Sequence, residues 1–339
     1  MIPTQMIEPL LWSLLGGAVI ALGMGPVIAW LNRTGALDVP NARSNHLRPT
    51  PVGGGILVLA VLLPMWLILA DRPLLHIVLP AVGLAALSWA DDMRGVSPLI
   101  RFPGHILAVV IALQFEPTFI YPLAQFVSEP VAYVIIAFVW VWFVNLFNFM
   151  DGIDGLTGVE TASIGLGVML VVLVYGFATD FAALGLCTAV AALAFLIWNW
   201  QPAKVFMGDV GSVPLGFLLA WLLFSLAAAG PWIIALILPA YYLADSTLTL
   251  LHRMARRQKI WQAHREHFYQ RAAIAGRRHA WVVRLVLVCN VILIGISLAA
   301  SRLGFAASFL VATAPVLILL IILHRVGRNG PDSSGTPSA

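Results

Sequence analysis

Charge is scarce in this chain. Its 339 residues include 19 Lys and Arg and 15 Asp and Glu, 10% in all, where soluble domains carry roughly a quarter. That composition excludes an ordinary water-soluble globule. Cysteine is nearly absent as well: Cys187 and Cys289 both fall inside apolar runs, as small packing residues do, which argues against a disulfide framework or a cysteine metal site. No basic stretch precedes the first apolar run, and that run is long for a signal peptide, so it reads as a retained helix. The formal charge of +4 sits in loops beside apolar runs. Membrane orientation explains it, and no nucleic-acid partner is expected.

What the chain has instead is apolar length. Hydrophobic residues make up 61% and the mean hydropathy is +0.95. Since about 20 apolar residues span a bilayer as a helix, the spacing predicts an all-α polytopic integral membrane protein. About eleven transmembrane helices are expected, at 8–31, 53–70, 73–90, 102–120, 130–146, 156–177, 181–200, 213–229, 232–251, 281–300 and 305–324. Most Lys and Arg then fall in the connections 32–52, 91–101, 201–212 and 252–280 and in the tail. By the positive-inside rule this face is cytoplasmic, the N-terminus periplasmic and the C-terminus cytoplasmic. One transmembrane catalytic domain, 1–325, is expected, with a basic cytoplasmic loop at 252–280 and a disordered cytoplasmic tail at 326–339.

The polar chemistry gathers in the connections of that face, which places the active site there. A transporter would instead keep ionisable groups near the bilayer midplane. Asn145–Gly155 reads N-L-F-N-F-M-D-G-I-D-G: Asn145, Asn148, Asp151 and Asp154 offer oxygens to a hard cation or ligand, and Gly152 permits close approach. An ordinary capped turn is the plainer alternative. The first loop carries Arg43, His46 and Arg48 before Pro49-Thr50-Pro51 and Gly53-Gly54-Gly55. This suits a phosphate, or merely a basic loop with a stiff turn. Asp91-Asp92 at a helix end, with Arg101 ten residues on, points to a divalent cation or to proton transfer with a phosphate; two solvated acids and a membrane anchor are the alternative. Asp209 lies in F-M-G-D-V-G-S, a third acidic turn on the same face.

His264, Arg265 and His267 stand in H-R-E-H. On a helix the two imidazoles share a face, and with no Cys nearby to complete a zinc set, an anionic substrate suits them better. A basic segment resting on acidic headgroups is the other reading. Asp245 either serves the site or pairs with Arg253, Glu160 is equally open, and Trp198-Asn199-Trp200 reads as an interfacial aromatic belt.

Taken in order, R-x-x-H-x-x-P-T-P-x-G-G-G, A-D-D-M-R-G, N-L-F-N-F-M-D-G-I-D-G, F-M-G-D-V-G-S and H-R-E-H resemble the polyprenyl-phosphate N-acetylhexosamine-1-phosphate transferases. The resemblance implies an enzyme of the bacterial inner membrane that moves a sugar-1-phosphate from a UDP-N-acetylhexosamine to undecaprenyl phosphate and releases UMP. It implies Mg²⁺, with Mn²⁺ as the substitute ion, held by Asp209 and Asn148. By the same resemblance Asp91 prepares the lipid phosphate with Asp92 in support, Gly152 and Asp154 line the uridine pocket, and Arg101 contacts the diphosphate. The segment His264-Arg265-His267 closes over the donor, and a homodimer is expected.

Two departures bear on the donor. Met93, Arg94 and Gly95 follow the Asp pair where many relatives carry a further acid or amide, so no third ligand is assigned there. H-R-E-H replaces the consecutive histidines of the peptidoglycan-precursor branch, the MurNAc-pentapeptide transferases. The branch that begins O-antigen and related lipopolysaccharide glycans, with UDP-GlcNAc, UDP-FucNAc or UDP-QuiNAc as donor, is the nearer resemblance. A secondary transporter or lipid-carrier flippase is the rival from another class.

Overall fold

The computed structural model describes residues 4–40, 49–230, 232–259 and 264–328. It is helical almost throughout: α1 (Ile7–Thr34), α2 (Gly55–Leu69), α3 (Leu75–Arg94), α4 (Pro98–Gln114), α5 (Tyr121–Ala124), α6 (Glu129–Phe149), α7 (Leu156–Tyr175) and α8 (Thr179–Asn199). Then follow α9 (Asp209–Ala229), α10 (Trp232–Ile237), α11 (Ala240–Ala255), α12 (Phe268–Ile274), α13 (His279–Leu303) and α14 (Phe305–Arg328). A two-stranded antiparallel ribbon, β1 (Leu37–Asp38) with β2 (Thr50–Pro51), pairs Leu37 with Pro51 and Asp38 with Thr50.

The multi-pass membrane architecture stands, but the number of spans is corrected. Among the described residues seven helices are long and apolar enough to cross a bilayer, or eight if the bent pair Pro98–Gln114 and Pro117–Ala124 forms one span; about eleven were expected. The span expected at 53–70 is the 15-residue α2, about 22 Å long at 1.5 Å per residue against a hydrocarbon core of about 30 Å. The next runs on as α3 into Asp91, Asp92 and Arg94. The span expected at 102–120 turns through 99° after Gln114, and that expected at 232–251 is split into α10 and α11, with Pro239 capping the second piece. The sorting of loops between two membrane faces relied on a count of eleven, and it falls with that count.

Packing centres on α9, where every residue from Val210 to Leu223 is buried, as expected for a helix that is apolar all round. The Trp140 indole donates to the Phe217 carbonyl at 3.1 Å and stacks on its ring at 5.1 Å. α2 meets α9 backbone to backbone: a Cβ on Gly55 would lie 2.3 Å from the Gly211 Cα, so only glycine allows this crossing. At one end of the bundle, buried Glu116 accepts from Arg72 at 2.7 Å and from the Trp221 indole at 2.9 Å, with His76 Nε2 also at 2.9 Å. Glu116 lies two residues past Gln114, so this network ties the bend to α9. The polar motifs gather at the other end.

Candidate active site

Hydrogen bonding brings the motifs together. The Phe206 carbonyl accepts from Gly53 and Gly54 at 3.2 and 2.9 Å, and the Phe206 N–H donates to Pro51 at 2.8 Å. The glycine-rich close of the first loop is thereby laid along the approach to α9. Asp92 accepts from the backbone N–H groups of Asp209, at 3.2 Å, and Val210, at 3.0 Å. It caps α9 from α3, filling the donors that a helix start leaves open. Asp91 accepts from the Val96 N–H at 2.6 Å and is ion-paired with Arg101, whose guanidinium also lies 3.5 Å from Asp209. Asp91 and Asp209, from two motifs far apart in sequence, thus share one cation.

α6 supplies the opposite wall. The Asn148 side chain hydrogen-bonds that of Asp209, and its Oδ1 accepts from the Ser212 hydroxyl at 2.6 Å. Among the described residues no three His, Cys, Asp or Glu form a closed metal cage. The adjoining carboxylate and amide still fit a hard divalent ion, because Mg²⁺ is commonly held by one or two protein oxygens together with substrate phosphates and water. Asn145 donates to the Val141 carbonyl at 2.7 Å and also bonds buried His105 of α4, a site neighbour that no motif pointed to.

Past α6 the chain turns through Asp151, which accepts from Thr157 at 2.7 Å. Burial, with the Asp209 charge adding, pushes its carboxyl up to about 7 against the opposing Thr157 bond. Gly152 lies under Tyr269, where a Cβ would meet the phenol oxygen at 2.3 Å; that phenol donates to Phe149 at 3.1 Å. Asp154 is engaged on both oxygens, by His279 Nδ1 at 3.2 Å and the Ala203 N–H at 3.0 Å. Burial opposes its charge, yet these bonds hold the carboxyl below its ordinary range. Asn199 is a buried brace and not part of an interfacial belt: it accepts from Gly155 and donates to Val205, both at 2.9 Å.

The H-R-E-H segment is held from beneath. Fully buried Asp245 faces His267 Nδ1 at 3.2 Å and accepts from the Phe268 and Tyr269 N–H groups at 3.1 and 3.3 Å. Of the two readings left open, Asp245 does not pair with Arg253, which is ion-paired with Glu266. His264 stacks on His267 with ring centroids 4.9 Å apart. Burial, reinforced by His267 and Arg253, lowers the His264 pKa to about 4, so the ring is neutral at pH 7. Arg265 lies between them, half-buried, whereas His46 and Arg48 fall outside the described residues. Glu160, equally open on sequence, accepts from Asn290 of α13 at 2.7 Å and ties two helices.

Known proteins resemble this chain along most of its length. The family model described as Glycosyl transferase family 4 matches residues 74–227, which include the Asp pair, the Asn145–Gly155 turn and Asp209. The decaprenyl-phosphate N-acetylglucosaminephosphotransferase of Mycolicibacterium smegmatis is 28% identical over 355 residues, covering 90% of this chain and 85% of its own. A probable undecaprenyl-phosphate N-acetylglucosaminyl 1-phosphate transferase of Bacillus subtilis is 24% identical, covering 87% and 84%. A phospho-N-acetylmuramoyl-pentapeptide-transferase of Lacticaseibacillus paracasei is 36% identical over 134 residues, 38% of this chain and 41% of its own. With the described motifs drawn to one end of the bundle and these likenesses along the chain, the protein matches the polyprenyl-phosphate N-acetylhexosamine-1-phosphate transferases in sequence.

Proposed function

We propose that this protein transfers an N-acetylhexosamine-1-phosphate from a UDP-sugar to undecaprenyl phosphate in the bacterial inner membrane, beginning an O-antigen or related envelope glycan. The observation that carries this reading is the Asp91, Arg101, Asp209 and Asp92 cluster, in a helix bundle that also holds an apolar groove. That groove, about 460 Å³, is lined by α6, α9 and α10 residues such as Ile136, Val139, Phe143, Leu223 and Trp232. Phe143, which lines one end of the groove, stacks on Phe147 at 6.0 Å, next to Asn148, while Phe119 and Phe126 line the other end; the groove points along α6 toward the polar cluster. A prenyl chain suits the one and a phosphate the other.

In this reading an oxygen of the acceptor phosphate attacks the sugar-bearing phosphorus of the donor. The bond to the uridine-linked phosphate breaks and UMP leaves. Phosphoryl transfer asks a protein chiefly for alignment and charge neutralisation. Asp91, steered by Arg101 and Val96, faces the acceptor phosphate, and direct attack by that phosphate is favoured over a covalent aspartyl intermediate. Asp92 holds Asp209 at the start of α9. Asp209 and Asn148 would hold Mg²⁺, or Mn²⁺ in its place, which when bound neutralises phosphate charge. Gly152, with Asp151 and Asp154 on either side, forms the floor for the uridine, and His264, Arg265 and His267 overlie the donor phosphates and sugar. His46 and Arg48 of the first loop, outside the described residues, are assigned to the phosphates by their charge.

The test is UMP release by purified protein given undecaprenyl phosphate, Mg²⁺ and UDP-GlcNAc, UDP-FucNAc or UDP-QuiNAc. Lipid-dependent, chelator-sensitive release that disappears in Asp91→Asn and Asp209→Asn is expected. The local likeness to a pentapeptide transferase makes UDP-MurNAc-pentapeptide the comparison donor; preference for it would move the protein to peptidoglycan synthesis. Absence of release from every donor by folded protein would refute the reading.

A further inference from the structure

From Phe268 to Arg328 the chain contains no Asp and no Glu, yet it contains seven arginines. Three elements of this stretch, α12, the start of α13 and the last turn of α14, meet at the end of the bundle that holds the candidate site. The Phe268 and His324 rings lie 6.0 Å apart. Arg271 of α12 packs on Gly327 so closely that a Cβ there would lie 2.9 Å from the Arg271 Cβ. Between the α12–α13 turn and α14 lies a cleft of about 350 Å³ lined by Ala275, Gly276, Arg277, Arg325 and Val326.

The cleft is built around cations. The Arg277 guanidinium is held over the Trp281 ring, 5.2 Å from its centroid, a contact that orients the charge while leaving its hydrogen-bonding edge open. Among the described residues none of Arg271, Arg277, Arg325 and Arg328 has a carboxylate partner. With no acid anywhere on the three elements, counter-charge has to come from outside them. Below the cleft α13 and α14 present exposed apolar residues such as Val288, Leu317 and Ile318, as helices facing acyl chains do. A tryptophan at the boundary marks headgroup level.

We propose that this cleft binds the phosphate of an anionic phospholipid, with Arg277 and Arg325 as its principal contacts and Arg271 and Arg328 at its rim. The site is separate from the cluster around Asp209. It lies at the far end of α12 from His267, a seven-residue helix whose first turn is held by Asp245. A bound headgroup thus steadies the second end of the element that carries the H-R-E-H segment.

The experiment is native mass spectrometry of the full-length protein from bilayers mixing phosphatidylglycerol and phosphatidylcholine. The wild-type protein is expected to retain phosphatidylglycerol selectively. Each arginine removed should weaken retention about fivefold, from about 1 kcal/mol per basic residue at an anionic surface. Arg277→Ala with Arg325→Ala should abolish selectivity, Arg277→Lys with Arg325→Lys should keep most of it, and Arg302→Ala at the opposite end of α13 should change nothing. Equal retention of both lipids by the wild-type protein would overturn the proposal without requiring any variant. So would undiminished selectivity in the double alanine variant, or displacement of the lipid by millimolar inorganic phosphate, which would mark a site for free anions. The readout is independent of UMP release, so its failure and that of the proposed reaction are distinguishable.

Discussion

Asp92 accepts the first two backbone N–H groups of α9, so a residue of α3 caps a helix that begins 117 residues later with Asp209. Asn at position 92 keeps one acceptor oxygen and turns a donor toward the other N–H. Asp92→Asn is expected to cost about 1–2 kcal/mol of stability and to lower turnover through displacement of Asp209. Asp209→Asn leaves the cap intact and should abolish UMP release with little change in melting temperature. Equal melting temperatures in the two variants would refute the capping role.

Ser212 donates to Asn148 Oδ1 at 2.6 Å, which makes it a positioning residue for one proposed metal ligand. Outer partners of ligands typically contribute about 10–100-fold to metal affinity. Ser212→Ala should therefore raise the Mg²⁺ concentration for half-maximal activity by about tenfold or more, at unchanged KM for the lipid acceptor. A Mg²⁺ titration that superimposes on the wild type would remove Asn148 from the ligand set.

Gly152 and Tyr269 form a size-matched pair. Overpacking costs typically about 1–3 kcal/mol, so Gly152→Ala should destabilise by that amount and weaken donor binding. Tyr269→Phe removes the nearest atom and leaves the end of the Gln270 side chain at 2.9 Å and the ring carbon at 3.2 Å. The double variant should then be less impaired than the sum of the two single variants, and strict additivity in a double-mutant cycle would show that the contact is not limiting.

Asp245 anchors five donors and neighbours while fully buried. Asp245→Asn sets an amide donor against backbone and phenol donors and should cost about 3 kcal/mol, as removal of one partner from a buried pair does. By loosening the His264–His267 segment it should raise KM for the nucleotide sugar more than for the lipid. An unchanged donor KM would separate the segment from donor binding.

Acid should act on His264. Its folded pKa is about 4, whereas in an unfolded chain the ring titrates near 6.5, so the unfolded state takes the proton first. Stability present above the unfolded value is lost as pH falls toward 4, by roughly 1 kcal/mol after allowance for the partial exposure of this ring. Thermal unfolding at pH 7.5 and pH 5 should show a smaller acid penalty for His264→Gln than for the wild type. Parallel pH profiles would exclude the assignment.

The convergence of the motifs was legible in the sequence because polar residues in a strongly apolar chain have few places to go and must meet one another. Their detailed partners were not. Asp245 had Arg253 two helical turns away, yet its bonds run to a segment 22–24 residues further on, since the buried carboxylate finds there both an imidazole and two helix-start N–H groups. The break between α10 and α11 and the 99° bend after Gln114 were invisible to hydropathy, which scores apolar residues without regard to direction. Glu116 lay inside the run expected to span at 102–120, and Asn199 between two tryptophans in what read as a belt. In both cases a single polar side chain satisfies several distant donors and acceptors, and nothing local announces it.

The groove formed by α6, α9 and α10 is bordered by exposed apolar residues, among them Phe126, Val139 and Trp232, so it opens sideways. A prenyl acceptor reaching the polar cluster by this route arrives by lateral diffusion, in two dimensions. The quantity that governs its encounter is its mole fraction in the surrounding lipid or detergent, not its amount per volume of solution. Adding neutral detergent at fixed protein and acceptor should therefore slow turnover as though substrate were being withdrawn, while added water changes nothing for the acceptor and dilutes only the nucleotide sugar.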